Sequence, residues 1–371
     1  MRLDNSQRAF FALLRAGLWE TDVQMIPFGE IDFSTIFQMA EGQSVVGLLA
    51  AGLEHIIDTR PAKKDVLQFI GRVTQMEQRN QAMNDFIGVL TKKMREAGIH
   101  SVLVKGQGVA QCYERPLWRS CGDVDLLLNT EYYEKAKGYL SSLASGIDEE
   151  DASRLHIGYT IDSWLVELHG TFHANHHTKI DSLLDDLQKD VLESGCTRIW
   201  KNDSGDVLLP AANEDVLFVF AHILQHYFGA GIGLRQICDW CRLLWAFQSE
   251  IDVKLLQKRL LSADLLPKWK AFASLAVNWL GMPPETVPLY SADRKWSKKA
   301  SRIMSLVMES GNFGQGRDKS YKEKYPDSIA YLISAWVYTR YSLLQFSIFP
   351  LDAIKGWKNI MMKGVKAAVK K

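Results

Sequence analysis

The sequence predicts an α+β fold, with a mixed sheet set between two helical regions, and three observations carry that expectation. Apolar residues recur at spacings of three and four through residues 1–95. After Gly98 the pattern shortens to β-branched and apolar runs, and from Asn213 the helical spacing returns and persists. The resulting division is 1–95 helical, 96–212 a core of strands and short helices, and 213–371 helical, which suits a 371-residue chain of two or three packed units.

In the first region, Ala40–Ile57 and Val66–Met94 have helical spacing, and Arg60-Pro61 interrupts it between them. Gln68, Arg72, Gln75, Glu77, Gln78, Arg79 and Asn80 leave the second segment one apolar face for a core. In the middle region Ser101–Val104 is a short strand ending in Lys105-Gly106. Gln107–Tyr113 offers one or two helical turns, and Arg115-Pro116 opens a loop. Asp123–Leu128 is a strand, Glu131–Leu143 a helix, and Leu155–Ile161 and Trp164–His169 are strands joined at a tight Asp162-Ser163 turn. Thr197–Trp200 and Val207–Leu209 form a second hairpin around Asn202-Asp203-Ser204-Gly205. Asn213 is an expected N-cap, with Glu214 and Asp215 in the first turn, where the helix dipole favours acids.

Composition excludes some classes. Lysine plus arginine (44) nearly balances aspartate plus glutamate (43), so charge gives no ground for general nucleic-acid affinity. The opening MRLDNSQRAFFALLRAGLW lacks an apolar run followed by a small-residue cleavage site, so no secretory signal is expected. Five cysteines (112, 121, 196, 238, 241) are an odd number for a chain of this length, which predicts reduced thiols and a cytoplasmic location. Cys238-x-x-Cys241 has no second pair, which argues against zinc and redox chemistry. Residues 329–350 are apolar, but Arg340, Gln345, serines and tyrosines interrupt them, which predicts a buried or surface-lying helix and no transmembrane segment. Six lysines (355, 358, 363, 366, 370, 371) and no acid follow Asp352, marking either a solvated helical tail or a contact for an anionic membrane surface.

The chemistry concentrates in Val102-Leu103-Val104-Lys105-Gly106-Gln107-Gly108 and in Arg119-Ser120-Cys121-Gly122-Asp123-Val124-Asp125-Leu126-Leu127-Leu128. Alternate residues of a strand share a face, so Asp123 and Asp125 point the same way while Val124 enters the core. Two adjacent carboxylates repel unless cations hold them, and oxygen donors at this spacing suit Mg²⁺ or Mn²⁺. Glycine lets a phosphate approach the backbone closely at the Lys105-Gly106 turn, and Arg119 lies four residues before the first acid, within reach of a phosphate oxygen.

The pattern L-x-K-G-x-x-x-A…R-x-x-G-D-x-D-L-L-x resembles the polymerase-β-type nucleotidyltransferase superfamily, and within it a bacterial family described as uncharacterised nucleotidyltransferases. The resemblance runs over about residues 80–245. It implies a polymerase-β-like core, Asp123 and Asp125 as paired metal ligands and, from the Trp164–His169 strand, Glu167 as the third carboxylate. It further implies that Lys105, Gly106, Gln107, Arg119 and Gly122 meet the nucleotide. Gly106-Gln107 stands where many members have Gly-Ser or Gly-Gly, so either Lys105 or Arg119 replaces the missing hydroxyl or triphosphate binding is impaired. The implied reaction moves NMP from an NTP to an acceptor hydroxyl on a glycan precursor, RNA or protein. Mg²⁺ or Mn²⁺ is required, and Glu167 is also able to assist deprotonation. The alternative on the same fold is a catalytically inactive nucleotide-binding or scaffold protein.

Histidines crowd into HGTFHANHH (169–177), which suggests a polar pocket wall or a solvated loop ahead of a zinc site. His222 and His226 lie one helical turn apart, with Ile223 where a metalloprotease needs glutamate. His169, His222, His226, Arg235 and Asp239 are candidate cleft contacts, or else members of a hydrogen-bonded structural network. GNFGQG (311–316) follows no clear strand, which favours a surface loop over a phosphate cradle. The tryptophans at 240, 245, 269, 279 and 336 are expected in a core or an interface.

Overall fold

The computed structural model describes residues 3–173, 178–229, 231–314 and 324–369. Its N-terminal helices are α1 (Asn5–Trp19), α2 (Phe33–Gly42), α3 (Val46–Glu54) and α4 (Lys63–Glu96). Ala40–Ile57 is therefore not one helix. Ser44 takes a left-handed φ of 56°, and the buried Gln43 side chain accepts from Leu234 N–H (2.9 Å) and donates to the Val307 carbonyl (3.1 Å), so distant contacts break the run. The stripe that α4 buries, Phe69, Val73, Met76, Asn80, Met83, Ile87, Leu90 and Met94, keeps the alternating spacing of four and three.

The core then runs β1 (Val102–Val104), α5 (Gly106–Ala110), β2 (Asp123–Leu127), α6 (Thr130–Ser141), β3 (Gly146–Ile147), β4 (His156–Ile161), β5 (Trp164–His169), α7 (Thr178–Leu192), β6 (Thr197–Trp200) and β7 (Val207–Pro210). The five-stranded sheet has the order β1-β2-β5-β4-β3; β2 and β5 are parallel and the other neighbours antiparallel, the mixed α+β architecture expected. The short β3 and α7 were not anticipated. Asp162 and Ser163 both have positive φ (47° and 70°), the geometry of a two-residue hairpin turn, and they fix the β4–β5 register.

One face of the sheet is a dry core: Val124, Leu126, Leu128, Val166, Leu168, Ile157, Tyr159 and Ile161 pack on Tyr133, Ala136 and Leu140 of α6 and on Met83, Ile87 and Leu90 of α4. The opposite face carries Asp123, Asp125, Glu167 and His169, and of the helices that follow in the chain the first borders a cleft on this side. Those helices are α8 (Ala212–Phe228), α9 (Leu234–Ala246), α10 (Val253–Ser262), α11 (Leu266–Asn278), α12 (Arg294–Ser310), α13 (Asp327–Phe346) and α14 (Pro350–Val369). Asn213 does not cap α8. Ala211 holds that position, and Asn213 instead accepts from Asp252 N–H (2.8 Å), tying α8 to the start of α10. Trp240 and Trp269, both fully buried, cross edge to face at 4.8 Å beside Phe220. Trp336 is 66% exposed on α13. No helix among the described residues is long and apolar enough to cross a membrane. All five cysteines are free, and burial pushes the Cys238 and Cys241 thiols far up, out of the range of a reactive pair.

Candidate active site

Strand pairing builds the site. In the parallel β2–β5 ladder Asp125 stands directly opposite Glu167, and Asp123, two residues earlier, shares their face. In β1–β2 Val104 stands opposite Asp125, so the next residue, Lys105, turns over the acids. Lys105 has φ 58° and Gly106 φ 42°, two consecutive left-handed residues. That conformation is strained for a lysine and undemanding for a glycine. The turn delivers Lys105 Nζ to 2.7 Å from Asp125 Oδ1.

Asp125 is only 2% exposed and also takes a hydrogen bond from His169 Nε2 at 2.8 Å. Glu167 Oε2 lies 3.2 Å from His156 Nε2 and 3.5 Å from His169 Nε2. Each titration shift has a cause in this arrangement. The neighbouring Asp125 charge, then burial, raises the Asp123 carboxyl above its ordinary value. Burial opposes ionisation of Asp125, but Lys105 and His169 outweigh it and hold that carboxyl below the usual range. The hydrogen bonds from His156 and His169 hold the Glu167 carboxyl far below its ordinary value. Burial works against the charge on Lys105 and on His169, yet the facing carboxylates raise both. Among the described residues no ion pair or hydrogen bond engages the Asp123 carboxylate.

A cleft of about 190 Å³ opens beside these groups; its walls include Lys105, Glu167 and His169 at the sheet and His222 and His226 from α8, while Asp123 and Asp125 are not among its lining residues. The two α8 imidazoles meet at 4.5 Å between ring centres, and burial pushes His222 well below its ordinary pKa, which keeps it neutral.

Other expected site residues are differently employed. The Arg119 guanidinium does not face the cleft: it grips Asp239 of α9 in a buried two-pronged pair (2.8 and 2.7 Å), and Tyr113 Oη donates to the same carboxylate at 2.7 Å. Asp239 is thereby internal as well. The Gln107 side chain is 1% exposed and donates to Asn80 Oδ1 of α4 at 3.0 Å, so it also points away from the cleft. Asn80 in turn donates to the carbonyls of Leu117 and Arg119 (2.7 and 2.8 Å), fastening the turn and the loop before Asp123 to one helix. Arg235 donates to the Ser120 carbonyl at 2.8 Å and lies near enough to Asp123 to favour its ionised form. Gly122 is exposed immediately before Asp123.

His173 bonds Asp185 at 2.6 Å, while His176 and His177 lie outside the described residues. Asn312, from the GNFGQG segment, is buried and bonded to Ser44 and Gln236; Gln315 and Gly316 lie outside the described residues. His156 and Arg154 line the cleft and were missed by sequence reasoning. The signal for His156 was present: once Asp162-Ser163 is a two-residue turn, Ile161 pairs with Trp164, and counting outward pairs His156 with His169.

The residues fit a divalent cation. Three carboxylates converge beside one ammonium, and the repulsion that lifts Asp123 is of the kind a bound cation relieves. A family model described as uncharacterised nucleotidyltransferase matches residues 29–281, more than half of the chain. Neither a curated protein nor a solved structure matches.

Proposed function

We propose that this chain, which belongs to the uncharacterised nucleotidyltransferase family, is a cytoplasmic enzyme that moves NMP from an NTP to an acceptor hydroxyl with release of pyrophosphate. The observation that carries this reading is the register pairing of Asp125 with Glu167, with Asp123 on the same face. We assign the chemistry to residues 96–212, with 1–95 and 213–371 as flanking helical regions.

Asp123, Asp125 and Glu167 would hold Mg²⁺ or Mn²⁺. When bound, such a cation stabilises charge on the phosphates and lowers the pKa of an acceptor hydroxyl. The chain's own contribution is positioning and electrostatics. Lys105, held charged beside Asp125, offers an ammonium to the nucleotide phosphates, and the Gly106 backbone leaves them room. Glu167, held ionised by two imidazoles, serves as a ligand; its depressed pKa makes it a poor proton acceptor. Arg119, Asp239 and Asn80 act on the substrate only through the loop they fix. His169, His222 and His226 line the space for nucleotide or acceptor, and Arg235 supports the Asp123 end. The acceptor is a glycan precursor, RNA or protein. Exposed Leu332, Trp336, Leu351 and Ile354 on α13 and α14, with exposed Lys355 and Lys358 beside them, support work at an anionic membrane surface.

One observation favours a second reading. Asp125 already has two cationic partners, Lys105 and His169, which a nucleotide-binding protein without catalysis would also tolerate. The two readings separate when purified protein is incubated with each labelled NTP, Mg²⁺ or Mn²⁺, and a lysate as acceptor source. An enzyme releases pyrophosphate and labels a product, and Asp123→Asn with Asp125→Asn abolishes both. Metal-dependent NTP binding without turnover across acceptors supports the non-catalytic protein.

A further inference from the structure

We propose that His156, Glu167 and His169 form a second cation site of mixed nitrogen and oxygen donors, which takes Zn²⁺ or a similar transition-metal dication in preference to Mg²⁺. The geometry is the first ground. One ligand atom from each residue lies within 4.8 Å of the others, and Glu167 Oε2 is 3.2 Å from His156 Nε2 and 3.5 Å from His169 Nε2. A cation with bonds of about 2.0–2.1 Å separates neighbouring ligands by roughly 2.9 Å in octahedral and roughly 3.4 Å in tetrahedral geometry. The two measured edges fall at that spacing, and His169 Nε2, which donates to Asp125 Oδ1 at 2.8 Å, exchanges that hydrogen bond for the cation.

Rigidity is the second ground. His156 and His169 are cross-strand partners on the antiparallel β4–β5 ladder, their rings are 4.8 Å apart, and Glu167 lies two residues before His169 on the same face. The sheet sets all three before any ligand arrives, where a loop would have to be ordered first. The cluster also lines the described cleft, opposite His222 and His226, so a cation bound there has access to solvent and to substrate.

Charge and donor type supply the third ground. Three carboxylates, Asp123, Asp125 and Glu167, face Lys105, His169 and, at the Asp123 end, Arg235; a dication takes over the charge that His169 gives up when it loses the proton it donates to Asp125. Imidazole nitrogen suits Zn²⁺ and its first-row neighbours, whereas Mg²⁺ requires oxygen donors. The site shares Glu167 with the transfer reading and deepens it, but it is measured without nucleotide, so either can fail alone.

The test is direct binding. Titration calorimetry of the full chain with Zn²⁺ and with Mg²⁺, and the visible spectrum of the Co²⁺-loaded protein, are compared among wild type, His156→Gln, His169→Gln and Asp123→Asn, each checked for folding by circular dichroism. Wild type is expected to bind one Zn²⁺ more tightly than Mg²⁺ and to show the strong visible bands of nitrogen-ligated Co²⁺. Each histidine variant should lose at least tenfold in Zn²⁺ affinity; loss of even a supporting partner costs roughly 10–100-fold. Asp123→Asn should retain the site. The Co²⁺ spectrum of wild type needs no variant, so a misfolded substitution leaves the test intact. Zn²⁺ affinity unchanged in both histidine variants, or a Co²⁺ spectrum of oxygen ligation only, overturns the proposal.

Discussion

Replacing Arg119 with methionine distinguishes a structural role from a phosphate contact. Arg119 and Asp239 are 8% and 5% exposed and joined by two hydrogen bonds, and a third bond reaches Asp239 from Tyr113. Removing one partner of a buried pair leaves a bare charge and costs about 3–5 kcal/mol. Tyr113 still donates to Asp239, a bond worth about 1 kcal/mol, so the lower end, about 3 kcal/mol, is expected for Arg119→Met. At roughly 2–4 °C per kcal/mol for a large chain, Tm should fall by roughly 6–12 °C. Asp239→Leu should cost a similar amount. The double variant should cost less than the two singles together by about 1–3 kcal/mol, because it removes both charges. Thermal melts and urea titrations of the four proteins form the assay. An Arg119→Met protein with unchanged Tm but weakened NTP binding would refute the assignment and return Arg119 to the nucleotide.

Two other expectations concern pH and surfaces. Burial raises the Asp215 carboxyl to about 6 even though Arg198 bonds it at 2.7 Å, and Oδ1 has no hydrogen-bond partner among the described residues. The folded chain therefore binds this proton more tightly than the unfolded chain, and its stability contribution declines as pH rises from about 4 to about 6, by about 3 kcal/mol. Asp215→Asn, which has the shape of the protonated acid, should match wild type in urea titrations near pH 4 and exceed it by about that amount at pH 7; a difference that does not change with pH contradicts this. The chain should also sediment with vesicles containing phosphatidylserine at low salt and release as salt rises, with blue-shifted tryptophan emission. Leu332→Ser with Trp336→Ser should weaken that binding severalfold, and failure to sediment at any salt concentration would remove the membrane contact.

Much of the scaffold is local chemistry, and that part was legible in the chain itself. The spacing of Phe69, Val73, Met76, Met83, Ile87 and Leu90 marks the buried stripe of α4, and alternation places Asp123 and Asp125 on one face of β2. The Asp162-Ser163 turn determines the β4–β5 register, because a two-residue hairpin leaves one pairing. What periodicity cannot encode is the partner a side chain finds more than a hundred residues away. Arg119 has the composition of a phosphate ligand and becomes an internal brace only because α9 delivers Asp239 to it. Gln43 ends a helix because it meets the Leu234 amide and the Val307 carbonyl. His156 joins Glu167 and His169 through sheet pairing, and His222 and His226 face them because α8 folds back over the open side of the sheet. The sequence by itself determined the acidic strand and the glycine turn; the tertiary structure decided that β2 lies beside β5, which sets Asp125 against Glu167, and which cations neutralise those acids, since strand neighbours and charge neutralisation are settled by distance in space and not by position along the chain.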